Sequence, residues 1–100
     1  MSRSDARRFL IAYDIPDDRR RDRLAKRLER HGDRVQYSVF VVDASPARIA
    51  RLKNEISTII VTALDSVLLC DLGLVQNVDH GRFAFIGRSR PIMTSGPIVT

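Results

Sequence analysis

A single cysteine, Cys70, stands in a chain of 100 residues, so an internal disulfide is excluded and a reducing cytoplasm is the expected compartment. No stretch of about 18 uncharged apolar residues occurs, which excludes a membrane-spanning helix. The polar start, Met1-Ser2-Arg3-Ser4-Asp5-Ala6-Arg7-Arg8, followed by only a short apolar run from Phe9 to Tyr13, is not read as a secretory signal. Histidine is scarce: His31 is expected to cap a helix C-terminus and His80 to lie in a loop, and with Cys70, read as a buried strand residue, they make no zinc spacing. Glycine-rich phosphate loops, Gly-x-Ser-x-Gly elbows, repeats and low-complexity linkers are absent as well. What remains is 44% apolar and 29% charged residues, enough for one compact domain over residues 1–100 and too hydrophobic for a disordered chain.

The charge is unevenly placed. Seventeen Lys and Arg against twelve Asp and Glu give +5 overall. Residues 1–34 hold eleven basic and seven acidic groups, net +4, and the rest six and five, net +1. Fifteen of the cations are Arg, whose planar fork suits phosphate. This balance points to nucleic acid as the partner.

Phe9 to Tyr13 reads as a first strand, ended by Asp14-Ile15-Pro16. Asp17 then caps a helix over about 18–31, with Gly32 as its stop. Arg34 to Val42, rich in β-branched and aromatic residues, reads as one second strand. Ser45-Pro46 opens a second helix, whose apolar face runs through Ile49, Leu52, Ile56, Ile59, Ile60 and Ala63. Ser66 to Leu72 reads as a third strand and Arg82 to Gly87 as a fourth. The fold expected is α+β, a ferredoxin-like βαββ(αβ) sandwich with a short C-terminal edge strand at Ile98-Val99.

Both faces of the strands carry apolar groups. On the second strand Val35, Tyr37, Val39 and Val41 are expected to face the helices, leaving Gln36, Ser38, Phe40 and Val42 on the far side. A chain this short has no element to spare for that second face, so packing of sheet against sheet across a homodimer dyad is expected, with Gln36, Ser38 and Phe40 at the interface. On the first helix, Arg19, Arg23, Lys26 and Arg30 fall on one stripe opposite Leu24 and Leu28, at the spacing that follows a phosphate backbone. The alternative for this stripe is a solvated face, in part neutralised by Asp17, Asp18, Asp22 and Glu29. Asp14, at the C-terminal end of the first strand, either begins a turn or, paired with its own copy across a dyad, supplies two carboxylates for Mg²⁺.

Tyr13-Asp14-Ile15, the Arg-rich helix and Arg34-Val35-Gln36-Tyr37-Ser38-Val39-Phe40 together resemble the CRISPR-associated endoribonuclease family, the small core subunit of the CRISPR spacer-acquisition complex. The resemblance implies a ferredoxin-like homodimer with Mg²⁺, or Mn²⁺, held between two copies of Asp14, and assembly with the spacer integrase on captured duplex DNA. It also implies a fifth strand that pairs with the partner's sheet, a task for Ile98-Val99. Matched position by position, it assigns Tyr13 and Asp14 to a catalytic site, Arg21, Arg23 and Arg34 to nucleic acid, and Phe40 to the end of the second-strand motif. Val41 departs from the family pattern, which has an acidic residue there, and Leu68-Leu69-Cys70 stands where an Arg and a Tyr are common. Two functions follow. One is a metal-dependent nuclease acting on single-stranded RNA or duplex DNA; the other is a bridging homodimer whose Asp14 pair is dispensable. A third possibility, a non-catalytic RNA-binding module of the RNA-recognition type, rests on Arg82-Phe83-Ala84-Phe85-Ile86.

Overall fold

The structure, a computed structural model, describes residues 5–78 and 82–92. Strand β1 (Arg7–Asp14) leads to helix α1 (Asp18–Glu29), a hairpin of β2 (Gly32–Gln36) and β3 (Val39–Ala44), helix α2 (Pro46–Ile59) and strand β4 (Ser66–Leu74), followed by a 3₁₀ turn at Val75–Asn77. The order is βαββαβ, and the antiparallel sheet runs β2-β3-β1-β4, a ferredoxin-like arrangement.

Local chemistry sets the two helices. The Asp17 carboxylate accepts the Arg20 N–H at 2.9 Å, and Asp18 adds negative charge to the first turn of α1. In α2 the Ser45 hydroxyl accepts the Arg48 N–H at 3.2 Å, with proline in the first turn. Their apolar faces, Leu24, Ala25 and Leu28 from α1 and Ile49, Leu52, Ile56 and Ile59 from α2, close one core with Phe9, Ile11 and Tyr13 of β1 and Phe40, Val42 and Ala44 of β3. Helix α2 ends at Ile59, so Ala63 lies in the turn that follows rather than on the helix.

The segment expected as one strand is two. A turn at Tyr37-Ser38 folds β2 back on β3, with Gln36 opposite Val39 and a register shift between Arg34 and Gln36. The turn and the register shift together leave Val35 and Val41 on one face, as expected, but the helices cover the opposite one. Phe40, Val42 and Ala44 enter the helix-covered core, while Val35 and Val41 are buried outside it, on the other face of the sheet. That other face is therefore partly covered by the chain itself, at Val35, Val41 and Arg8, which corrects the expectation that nothing is available to cover it.

Gly32 is not a left-handed helix stop, for its φ is not positive. It opens β2, where a Cβ would lie 2.1 Å from the Val41 carbonyl oxygen, so the position needs glycine for close backbone approach. No strand forms over Arg82 to Gly87, where the backbone bends and Gly87 has φ +93°. The fourth strand of the sheet comes instead from splitting the second. Cys70 is exposed on β4, not buried. His80 and Ile98-Val99 lie outside the described residues.

Candidate nucleic-acid interface and carboxylate site

Helix α1 separates its charges sharply from its core face. Arg19, Arg23, Lys26 and Arg30 are all exposed, whereas Leu24 and Leu28 are fully buried. The nearby acids go mostly to other cations. Asp17 caps the helix and lies 3.8 Å from Arg20, Asp18 pairs with Arg21, and Glu29 lies 3.7 Å from Arg34. Among the described residues only Asp22 reaches the stripe, at 3.2 Å from the Lys26 Nζ. Among the described residues Arg19, Arg23 and Arg30 have no carboxylate partner, which leaves three guanidinium groups facing solvent along one side of the helix.

Arg21 and Arg34 are placed differently from the stripe. Arg21 donates to the carbonyls of Ile15 at 2.9 Å and Pro16 at 3.4 Å and pairs with Asp18. Its guanidinium is held above its ordinary pKa first by Asp18 and then by the Tyr37 side chain. Arg34 donates to the Tyr37 carbonyl at 3.1 Å and lies over two rings, 5.3 Å from the centroid of Phe40 and 5.5 Å from that of Tyr37. Both arginines line a cleft of about 310 Å³ between α1 and the hairpin, with Asp18, Asp22, Ala25 and Tyr37. They are structural members of this cleft as much as candidates for phosphate.

A bidentate pair links α1 to the segment before β4. Arg20 donates from Nε and Nη2 to Asp65 at 2.7 and 3.0 Å, and Asp65 also accepts the Val61 N–H at 2.8 Å. The Arg20 hydrogen bond is the main reason the Asp65 carboxyl is held below its ordinary pKa. Neither residue stands out in the sequence, because the pairing spans 45 positions.

At the end of β1 the two candidate catalytic residues part company. Asp14 is exposed, opposite Ser66 of β4, on the face away from the helices. Tyr13 is buried in the core, stacked on Phe40 at 6.3 Å between centroids, its hydroxyl donating to the Tyr37 carbonyl at 3.5 Å. Its N–H donates to the Ser38 carbonyl at 3.1 Å. Tyr13 therefore braces the strand end and hairpin and does not share a face with the Asp14 carboxylate. The expectation for Phe40 is corrected: fully buried within the protomer, it has no surface left for a dimer interface. Gln36 is exposed and Ser38 half-buried at the hairpin turn, and both keep accessible surface. Beside Asp14 the outer face offers Ala12, with its β4 neighbour Leu68 59% exposed.

Residues 7–78 match the family described as CRISPR associated protein Cas2. The chain belongs to the Cas2 family. It is 39% identical over 98 residues to CRISPR-associated endoribonuclease Cas2 3 of Rhodospirillum rubrum, a match covering 91% of this chain and 98% of that one. It is 46% identical over 59 residues to CRISPR-associated endoribonuclease Cas2 3 of Synechocystis sp., covering 59% of this chain and 64% of the relative. Among solved structures, Streptococcus pyogenes Cas2 superposes with a TM-score of 0.71 at 29% identity, over 80% of this chain and 99% of that chain. The Cas2 likeness thus extends through the whole βαββαβ unit. No helix among the described residues is long and apolar enough to cross a membrane.

Proposed function

We propose that this Cas2-family chain is a CRISPR adaptation subunit, a homodimer that holds nucleic acid beside the spacer integrase and cleaves phosphodiester bonds at paired copies of Asp14. The observation that carries the reading is the division of labour on α1, where most local acids are engaged by Arg20, Arg21 and Arg34 while Arg19, Arg23 and Arg30 are exposed and have no carboxylate partner among the described residues. Cations spaced along one helix face suit a phosphate backbone and carry no sequence preference. The relatives' name, endoribonuclease, favours RNA as the first substrate to test.

Within the described residues of one protomer no three His, Cys, Asp or Glu side chains converge. Asp14 alone offers one carboxylate, so a second copy is required for the paired hard-oxygen donors that suit Mg²⁺. When bound, the ion supplies charge neutralisation at phosphate and an activated water. The chain's own part is to present Asp14 at an exposed strand end, to fix that end through Tyr13, and to hold the nucleic acid through the α1 arginines. One observation favours the second reading, a bridge without chemistry: the Tyr13 phenol lies across the sheet from Asp14, so it offers the carboxylate no acid or base. The RNA-recognition reading loses its platform, because Arg82 to Ile86 form no strand.

The test is one variant assayed twice. Asp14→Asn keeps the side-chain shape and removes the charge; the nuclease reading expects Mg²⁺-dependent cleavage of RNA to vanish. Spacer acquisition in cells carrying the integrase is expected to persist only if the bridge suffices. Cleavage that survives the substitution removes Asp14 from the site.

A further inference from the structure

Tyr37 is an aromatic ring at the tip of a hairpin, and it is 68% exposed. Its backbone is held on two sides, since its carbonyl accepts from Arg34 Nε at 3.1 Å and from the Tyr13 hydroxyl at 3.5 Å. The ring has the Arg34 guanidinium carbon 5.5 Å from its centroid, and its side chain contributes to the raised pKa of Arg21. An aromatic group left in water on a backbone held at two points gains little for the fold. The cleft beside it, about 310 Å³, lies at the lower end of the roughly 300–1,000 Å³ of small-ligand pockets and is flanked by two arginines.

We propose that Tyr37 is a stacking platform for one unpaired nucleobase of a single strand whose phosphates run along the α1 arginines. The inference rests on the nucleic-acid reading above and deepens it by naming the residue that separates single strands from duplex. Arg34 occupies the neighbourhood of the ring and the exposed remainder is open to a base, giving an arginine–tyrosine–base stack. Every base has a π-face, so the site is tolerant of sequence. Bases within a duplex are already stacked on one another, so Tyr37 acts only where the strand is unpaired.

Three variants and two ligands test this. The chain has no tryptophan, so Tyr37→Trp is a lone fluorescent reporter. Tyr37→Ala removes an exposed ring without touching the core and keeps the backbone carbonyl; Tyr37→Phe keeps the ring and loses the hydroxyl. With a short single-stranded oligoribonucleotide, Tyr37→Ala is expected to bind about tenfold more weakly, within the range of one missing base stack, and Tyr37→Phe to bind as the parent does. Because the cations that hold the phosphates are untouched, the salt dependence is unchanged. An abasic strand of equal length is expected to bind the parent as weakly as the normal strand binds Tyr37→Ala. The same abasic strand is expected to leave the emission of the introduced tryptophan unquenched, where the normal strand quenches it. Equal affinity of parent and Tyr37→Ala for the normal strand, or quenching by the abasic strand, overturns the proposal while duplex binding through α1 still stands. Failure of the parent to bind either single strand or duplex overturns both readings.

Discussion

Arg8 and Asp43 face each other across β1 and β3, joined by two hydrogen bonds of 2.8 and 3.0 Å, with 2% and 6% of their side chains exposed. A bidentate pair this deep lies on the sheet face away from the helices, beside Val41. It fixes the register of the two central strands, since a one-residue slip separates the charges and turns Phe40 and Val42 outward.

Asp43→Ala removes the carboxylate that accepts two hydrogen bonds from the buried Arg8 guanidinium, so a marked loss of stability is expected. Replacing both residues by apolar ones of similar size is expected to cost much less, because neither charge then needs desolvation. Urea unfolding of the single and double variants checks this, and equal losses in the two would remove the pair from its structural role.

Asp65 gives a pH dependence with a definite sign. Its carboxyl, held below the ordinary 3.8 first by the Arg20 hydrogen bond, keeps its charge in the folded chain to lower pH than in the unfolded chain. The stability this contributes is present above about pH 4 and is lost as pH falls through the folded-state value. Asp65→Asn is expected to lower stability at neutral pH and to flatten the acid limb of the stability curve. An unchanged acid limb contradicts the assignment.

What the sequence could and could not disclose follows from the range of the interactions. Asp17, Ser45 and Pro46 act within three residues of themselves, and the α1 stripe is a property of one helix, so both are legible. The turn at Tyr37-Ser38 is not, because it carries none of the Gly, Pro, Asn or Asp that mark turns and no non-glycine residue among those described has positive φ. Alternation groups Phe40 with Val42 but does not say which face the helices cover, so the reading places Phe40 at an interface rather than in the core. The Arg20–Asp65 and Arg8–Asp43 pairs and the α1–hairpin cleft depend on tertiary approach of distant segments, for which the composition holds no signal.

Gly32 is a position where backbone proximity rather than flexibility decides. With a Cβ meeting the Val41 carbonyl at 2.1 Å and a Val42 methyl at 2.9 Å, Gly32→Ala forces β2 away from β3. The expected result is a clear drop in melting temperature and faster amide exchange across the β2–β3 ladder, where a helix-stop role would predict fraying of α1 instead. Hydrogen exchange resolved by residue separates the two.

The α1 stripe makes the most direct claim about function. Reversing Arg19, Arg23, Lys26 and Arg30 to Glu alters four exposed side chains, one of them paired with Asp22, so the melting temperature is expected to move little while binding changes greatly. If each cation meets one phosphate, duplex affinity falls irrespective of sequence and the slope of log affinity against log salt shrinks by about 0.9 for each phosphate no longer neutralised. A Tyr37→Ala change leaves that slope alone, so the two variants divide the surface into phosphate-holding and base-stacking parts. Asp14→Asn belongs to neither, and is expected to keep both affinities. Titrations of the three variants over a range of salt concentrations check the division; a stripe-reversed protein that binds duplex with the parent's affinity and salt slope returns those four residues to an ordinary solvated helix face.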